Sequence, residues 1–141
     1  MTDVLIFPIL LPFATAAVCL LLWRRPALQQ VVSLSGSTLH LAVCAGVLAT
    51  VMDKGIQVLQ IGSWPAPFGI TLVSDHLSAL TLIIAGVLGT STAVYARGEL
   101  KRHLRANGFH VLFQVLIGGI SGAFLTGDLF NLYVWFEVML M

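Results

Sequence analysis

One carboxyl group stands inside the most apolar stretch of this 141-residue chain, in the segment TGDLFNLYVWFEVMLM at residues 126–141. Glu137 follows Asp128, a good N-cap residue for a helix, and nine residues of helix rise about 13.5 Å. The carboxyl therefore lies near the middle of a bilayer core about 30 Å thick, where an acidic side chain costs roughly 2.5 to 3.5 kcal/mol. A group with an unstable charged form, midway between two aqueous phases, suits a proton-transfer step.

Three arrangements make such a carboxyl tolerable: protonation, a cationic partner, or a water-filled cavity. All seven Lys and Arg residues fall in predicted loops, so any intramembrane cation must come from outside residues 1–141. Tyr133, one turn earlier on the same face, can donate a hydrogen bond but cannot neutralise the charge. The alternative to a proton carrier is a protonated Glu137 that packs as a polar residue between helices.

The second predicted helix carries polar residues at i, i+4, i+7 and i+11, which places Ser33, Ser37, His40 and Cys44 on one face. His40 lies near mid-bilayer, and a histidine there either relays protons or forms a hydrogen bond to a neighbouring helix. Gln114, on a later helix, either bonds across a helix interface or faces a wet cavity. The sequence leaves both alternatives open.

The composition predicts a membrane protein, because 58% of the residues are hydrophobic and only 9% are charged, against roughly a quarter charged in soluble domains. We expect an all-α polytopic protein with four transmembrane helices, the start of a fifth, and a small external hairpin. The predicted helices span residues 4–23, 31–52, 76–96, 111–126 and 129–141. The last run is too short to cross the bilayer, so we expect the chain to end inside the membrane or to continue in a longer protein.

The positions of the basic residues predict the topology, since Lys and Arg favour the cytoplasmic side. Six of the seven lie in loops 24–30 and 97–110, which we place inside the cell. Loops 53–75 and 127–128 and the N-terminus then lie outside, in a multi-pass protein of the cell (inner) membrane. Two short strands, 58–61 and 70–73, flank the turn-rich SWPAPFG and predict the external hairpin.

The other sequence motifs are best interpreted as features of helix packing and helix shape. Gly118 and Gly122 have the small-xxx-small spacing that lets helix backbones approach closely. Pro8 suits a first helical turn, whereas Pro12 bends the first helix. Both cysteines lie in apolar runs without metal-ligand spacing, and no nucleotide loop, haem motif or nucleophile elbow is present, so we expect no cofactor, no metal and no nucleic-acid partner.

Two stretches, FLTGDLFNLYVWFEVMLM and GSWPAPFGITLVSDHLSALTL, resemble the D subunit of Mrp-type multisubunit Na⁺/H⁺ antiporters. That family is related to the proton-pumping membrane subunits of respiratory complex I. The resemblance implies inverted repeats with broken helices, and a Glu137 that pairs with a lysine on a later helix and joins a polar axis along the membrane. This chain resembles only the family's N-terminal portion, without the second repeat that alternating access requires.

We therefore expect an ion transporter subunit, not an enzyme, that contributes the Glu137 carboxylate to proton translocation. Its expected partners are the lipid bilayer, the other subunits of an antiporter complex, protons and a monovalent cation, Na⁺. One alternative is a proton-pumping subunit of a complex I-like NADH-quinone or hydrogenase-linked oxidoreductase, whose neighbouring genes would encode iron–sulfur cysteines. The other is a structural or assembly fragment without transport.

Overall fold

Helices form most of the chain in this computed structural model, which describes residues 2–63, 69–99 and 108–140. A 3₁₀ turn at Thr2–Ile6 leads into the first α-helix. The α-helices of the described residues are α1 Phe7–Leu21, α2 Pro26–Lys54, α3 His76–Glu99, α4 Phe109–Leu125 and α5 Leu129–Leu140. Within those residues, three spans are long and apolar enough to cross a membrane: Val4–Leu21, Pro26–Lys54 and His76–Gly98. The helices α4 and α5 are apolar but shorter.

The start of the second helix is the predicted boundary that the structure corrects most. It begins at Pro26, whereas the apolar pattern predicts residue 31. Proline is favoured at the first helical position, because its missing N–H has no intrahelical partner there and its φ already suits a helix. The predicted loop 24–30 is therefore shortened to a tight turn. Pro8 also lies in the first turn of its helix, as expected, and Pro12 lies inside α1.

A two-stranded antiparallel sheet lies between α2 and α3. Its strands are β1 Gln57–Gln60 and β2 Thr71–Ser74, each displaced by one residue from the predicted strand, with Gln57 opposite Ser74. The centre of the intervening turn, including Trp64, lies outside the described residues. Leu72 of β2 is fully buried and joins the main apolar core, so the sheet packs onto the helices.

The connections meet in two groups at opposite ends of the helices. At one end, called the strand end, the Gly127 N–H donates to the Thr71 carbonyl at 2.8 Å and Thr126 forms a bridge with Leu72. At the other, called the arginine end, the turn with the exposed Arg24 and Arg25 lies beside the start of α4. Gly108 has a φ of +80° there, and a Cβ on it would lie 2.7 Å from the Trp23 ring.

The main apolar core lies toward the strand end. This apolar cluster contains Leu5, Ile9, Cys44, Val47, Val51, Leu72, Ala79, Leu82 and Leu125, so it draws on α1 to α4 and β2. A smaller cluster of Ala93, Phe113 and Ile117 joins α3 to α4. In contrast to these clusters, the interface of α2 and α4 contains buried polar side chains.

Candidate functional site

The polar face predicted for α2 points into the protein. Ser33, Ser37, His40 and Cys44 are all buried, each with 2% or less of its surface exposed. Polar groups are stable inside a membrane protein only when they find partners there, because lipid offers no hydrogen bonds. Their partners lie mainly on α4.

Gln114 of α4 forms the first group of contacts with this face. Its Nε2 donates to the Ser33 carbonyl at 2.9 Å and lies 3.0 Å from the Ser37 hydroxyl and 3.2 Å from that of Ser33. Gln114 therefore bonds across a helix interface, one of the two alternatives that the sequence left open. From α3, the Thr90 hydroxyl lies 3.1 Å from the Ser37 carbonyl and 2.8 Å from the Gly86 carbonyl of its own helix, so three helices meet here.

His40 forms the second group of contacts, with Ser121 of α4. The His40 Nε2 lies 3.0 Å from the Ser121 Oγ, which in turn lies 2.9 Å from the Ile117 carbonyl of its own helix. The backbone carbonyl of Pro8 in α1 also accepts a hydrogen bond from the imidazole, and the tautomer decides which ring nitrogen donates to which partner. The Cys44 thiol lies 3.5 Å from the His40 Nε2.

Ser121 is the site residue that the sequence interpretation missed. It lies seven residues after Gln114, and this spacing places the two on one face of α4. The same periodicity that grouped the α2 residues was therefore present in α4. A serine within GGISG reads more readily as a small packing residue than as a hydrogen-bond partner.

Glu137 lies on a different surface from His40. It is exposed on the side of α5 that faces away from the other helices, as are Phe130, Tyr133 and Phe136. Among the described residues, none forms an ion pair or a side-chain hydrogen bond with its carboxyl, and Tyr133 does not donate to it. The structure thus does not bring Glu137 and His40 together.

The packing of α5 on α4 sets the direction in which Glu137 points. A Cβ on Gly122 would overlap the Trp135 indole, and a Cβ on Gly119 would lie 2.9 Å from the Met139 Cγ. Trp135 also lies near Phe13 of α1, with ring centroids 6.3 Å apart. Since Glu137 follows Trp135 by two residues, or about 200° around a helix, it points away from α4.

The Gly118 and Gly122 pair acts differently from the expected close contact between two helix backbones. A Cβ on Gly118 would lie 2.8 Å from the Phe13 ring of α1, whereas Gly122 receives Trp135 of α5. The two glycines therefore accommodate aromatic side chains from two different helices. Sequence spacing reveals small residues on one face, but it does not show what fills the space above them.

The start of α5 is capped as its sequence predicts. The Asn131 backbone N–H donates to the Asp128 Oδ1 at 2.6 Å, and the Asn131 amide donates to the Thr126 hydroxyl at 2.9 Å. These bonds join the turn to the helix and define where α5 begins. No group of three or more His, Cys, Asp or Glu side chains in the described ranges is placed to hold a metal ion, and Cys19 and Cys44 are free thiols.

No protein-family model matches the chain. Curated proteins do: it is 33% identical over 141 residues to the D subunit of the Na⁺/H⁺ antiporter of Bacillus subtilis (strain 168), covering 100% of this chain and 29% of that protein. It is 43% identical over 150 residues to the D subunit of a probable K⁺/H⁺ antiporter of Rhizobium meliloti (strain 1021), covering 99% of this chain and 28% of that protein. This chain resembles antiporter D subunits along its whole length. It spans less than a third of each relative.

Solved structures agree with the curated relatives. The chain superimposes on the Mrp complex from Dietzia sp. DQ12-45-1b with a TM-score of 0.88 and 30% identity, covering 100% of this chain and 26% of that one. It also matches the membrane-bound sulfane sulfur reductase, an archaeal respiratory membrane complex, with a TM-score of 0.90 and 25% identity over 96% of this chain and 28% of that one. The resemblance to the Mrp D subunit is therefore confirmed.

Proposed function

We propose that this chain is the N-terminal transmembrane region of a D-type subunit in a multisubunit cation/proton antiporter, with Na⁺ as the exchanged cation. The likeness to D subunits of Na⁺/H⁺ and K⁺/H⁺ antiporters supports this assignment. In this proposal α1 to α4 cross the cell membrane, α5 begins a fifth crossing, and the strand end, with the N-terminus, lies outside. The exposed Arg24 and Arg25 at the opposite end support that orientation, since basic residues favour the cytoplasmic side.

Glu137 is the proton carrier in this proposal, and its exposure is the single observation that carries the assignment. A carboxyl on an apolar helix face, without a charged partner in the described chain, needs a cation, a proton or water from elsewhere. A lysine on a later helix of the full-length subunit supplies that partner, and Tyr133 lies beside the pair. His40 is a separate site in the interior of the subunit that takes up and releases a proton.

Replacing Glu137 with Gln in the full-length subunit, within its assembled complex, tests this role. We expect Na⁺-dependent proton efflux from inverted membrane vesicles, followed with a pH-sensitive dye, to fall at least tenfold, because Gln cannot take up and release a proton. Asp53→Asn, which removes an exposed carboxylate at the end of α2, is the matched control and should retain wild-type exchange. Wild-type exchange by E137Q would leave only a structural or assembly role for the residue.

A redox-driven proton pump is the second candidate function, and the similarity to a subunit of an archaeal respiratory membrane complex favours it. In this second candidate function, Glu137 serves proton pumping that is driven by electron transfer. Purification of the native complex distinguishes the two candidates. Co-purified subunits with iron–sulfur clusters would support the redox-driven pump, whereas cation-dependent proton exchange without them would support the antiporter.

A further inference from the structure

We propose that the interface between α2 and α4 is a one-sided proton access path that opens at the arginine end and stops at His40. The inference rests on the proposed function, since it gives a translocating subunit a route for protons into the bilayer. It concerns a surface distant from the exposed Glu137, so the two proposals are tested separately.

The first observation is a series of buried polar side chains at successive turns of α2 and α4. Gln29 begins the series near the arginine end, where its Nε2 donates to the Cys19 carbonyl of α1 at 2.7 Å. All of its members are 2% exposed or less: Gln29, Ser33, Ser37 and His40 on α2, and His110, Gln114 and Ser121 on α4. From Gln29 to His40 the helix rises about 16 Å, which is about half of the hydrocarbon thickness.

The second observation is the polarity change at His40. Beyond it, the same face of α2 continues with Val47 and Val51, which pack in the apolar cluster against Leu72 and Leu125. The half of the interface toward the arginine end is therefore polar, and the half toward the strand end is sealed by aliphatic side chains. Residues that serve only to hold two helices together have no reason to be confined to one half of the membrane.

The third observation is an acceptor that the protein leaves unsatisfied. The Oε1 of Gln114 is buried and has no hydrogen-bond partner in the described chain, although the Nε2 of the same amide faces Ser33 and Ser37. A buried amide oxygen without a partner is costly, and water satisfies it where it can enter. Gln114 lies between the arginine end and His40, where an access path needs a polar group that binds water.

His40 has the chemistry of an end point. Its Nε2 contacts the Ser121 hydroxyl, and the next group in that direction is the Ile117 carbonyl, which cannot pass a proton on. A neutral imidazole has one ring nitrogen that carries no hydrogen. A proton that arrives from the arginine end binds this nitrogen to give the imidazolium and leaves by the same route.

Cysteine accessibility tests the path. In the full-length subunit within its complex, with Cys19 and Cys44 replaced by Ala, single cysteines are introduced as S33C, S37C, V47C and V51C. Ag⁺ or a small cationic methanethiosulfonate is then added to one side of sealed vesicles. We expect the two serine positions to react at least tenfold faster from the arginine side than from the strand side, and the two valine positions not to react from the arginine side. G46C, at an exposed position on the outside of α2, is the control for attack from lipid.

The native Cys44 thiol, 3.5 Å from His40, provides a second test without a substitution in the path. Ag⁺ from the arginine side should protect it from later alkylation in the denatured subunit. If in both experiments the cysteine thiols react from neither side, or equally from both sides, the proposed path is disproved. Because neither experiment measures transport, the activity or inactivity of the E137Q variant does not change the outcome for the path.

Discussion

Two ionisable side chains with the same predicted depth have opposite surroundings. His40 is 1% exposed and bonded to Ser121, whereas Glu137 is exposed on an outward face of α5. Because the His40 imidazole is buried and hydrogen-bonded, its contacts are with residues of the helix interior. In the proposed function, the exposed Glu137 carboxyl acts with a cationic partner from outside residues 1–141.

Asp75 is the side chain whose ionisation the structure links most directly to helix stability. The Ser78 N–H donates to the Asp75 Oδ1 at 2.7 Å, and the Asp75 N–H donates to the Ser78 Oγ at 2.8 Å, so the two residues cap α3 reciprocally. The hydrogen bond from the Ser78 backbone N–H is the largest cause that holds the pKa of Asp75 below its usual value.

We expect Asp75→Ala to lower the free energy of unfolding by about 0.5 to 2 kcal/mol, the usual contribution of an N-cap, and Asp75→Asn to lower it much less. The stabilisation from ionised Asp75 is present above the unfolded-state pKa of about 3.9 and is lost as the pH falls through the lower folded pKa. Thermal unfolding of the solubilised subunit as a function of pH measures both effects. An unchanged Tm for D75A, or the same acid sensitivity in D75N and the wild type, would contradict the prediction.

At the level of elements, α5 is oriented by one aromatic side chain against a glycine. Trp135 covers Gly122, Met139 covers Gly119, and both contacts place the opposite face of α5 toward the outside. Because a packed interface between two helices tolerates little added volume, the rotation of α5 is sensitive to a single methyl group. The direction of Glu137 depends on this interface.

Gly122→Ala should therefore destabilise the subunit by about 1 to 3 kcal/mol, as overpacking does, and should reduce antiport by displacing α5. Gly46→Ala is the matched control, since no atom lies within 4 Å of a Cβ added there. The double variant Gly122→Ala/Trp135→Leu should recover part of the loss, because the smaller side chain relieves the overlap. Thermal stability and exchange in vesicles measure these effects, and equal behaviour of G122A and G46A would disprove the orienting contact.

Across the whole molecule, successive helices run in opposite directions. The chain start, the sheet and the turn before α5 meet at the strand end, and Trp23 meets Gly108 at the other. The connections that share one end of the helices are therefore the ones that the positions of the basic residues predict to share one side of the membrane. Much of the second basic loop, residues 100–107, lies outside the described residues.

The assignment of these ends to the two sides of the membrane is directly testable. Arg25 and Asp53 are exposed positions at opposite ends of α2, so R25C and D53C form a matched pair in a background without Cys19 and Cys44. A membrane-impermeant maleimide should label D53C from outside intact cells and R25C only after the cells are opened. The reverse pattern would invert the proposed topology, and labelling of both from one side would contradict the alternation of the helices.

The sequence alone was sufficient for the features that depend on neighbouring residues along the chain. Apolar runs predicted the helices, the 3.6-residue period placed Ser33, Ser37 and His40 on one inward face, and a short-range side-chain bond made Asp128 a cap. Each of these properties is determined by interactions within a few residues.

Only the tertiary structure decided which groups meet. The bond between His40 and Ser121 joins residues 81 positions apart, and nothing local to either residue specifies it. The same holds for Phe13 over Gly118, Trp135 over Gly122, and the outward direction of Glu137. Periodicity shows which face of a helix carries polar or small residues. The residues that contact this face are determined by the packing of all the helices together, because close packing allows each helix surface few other partners.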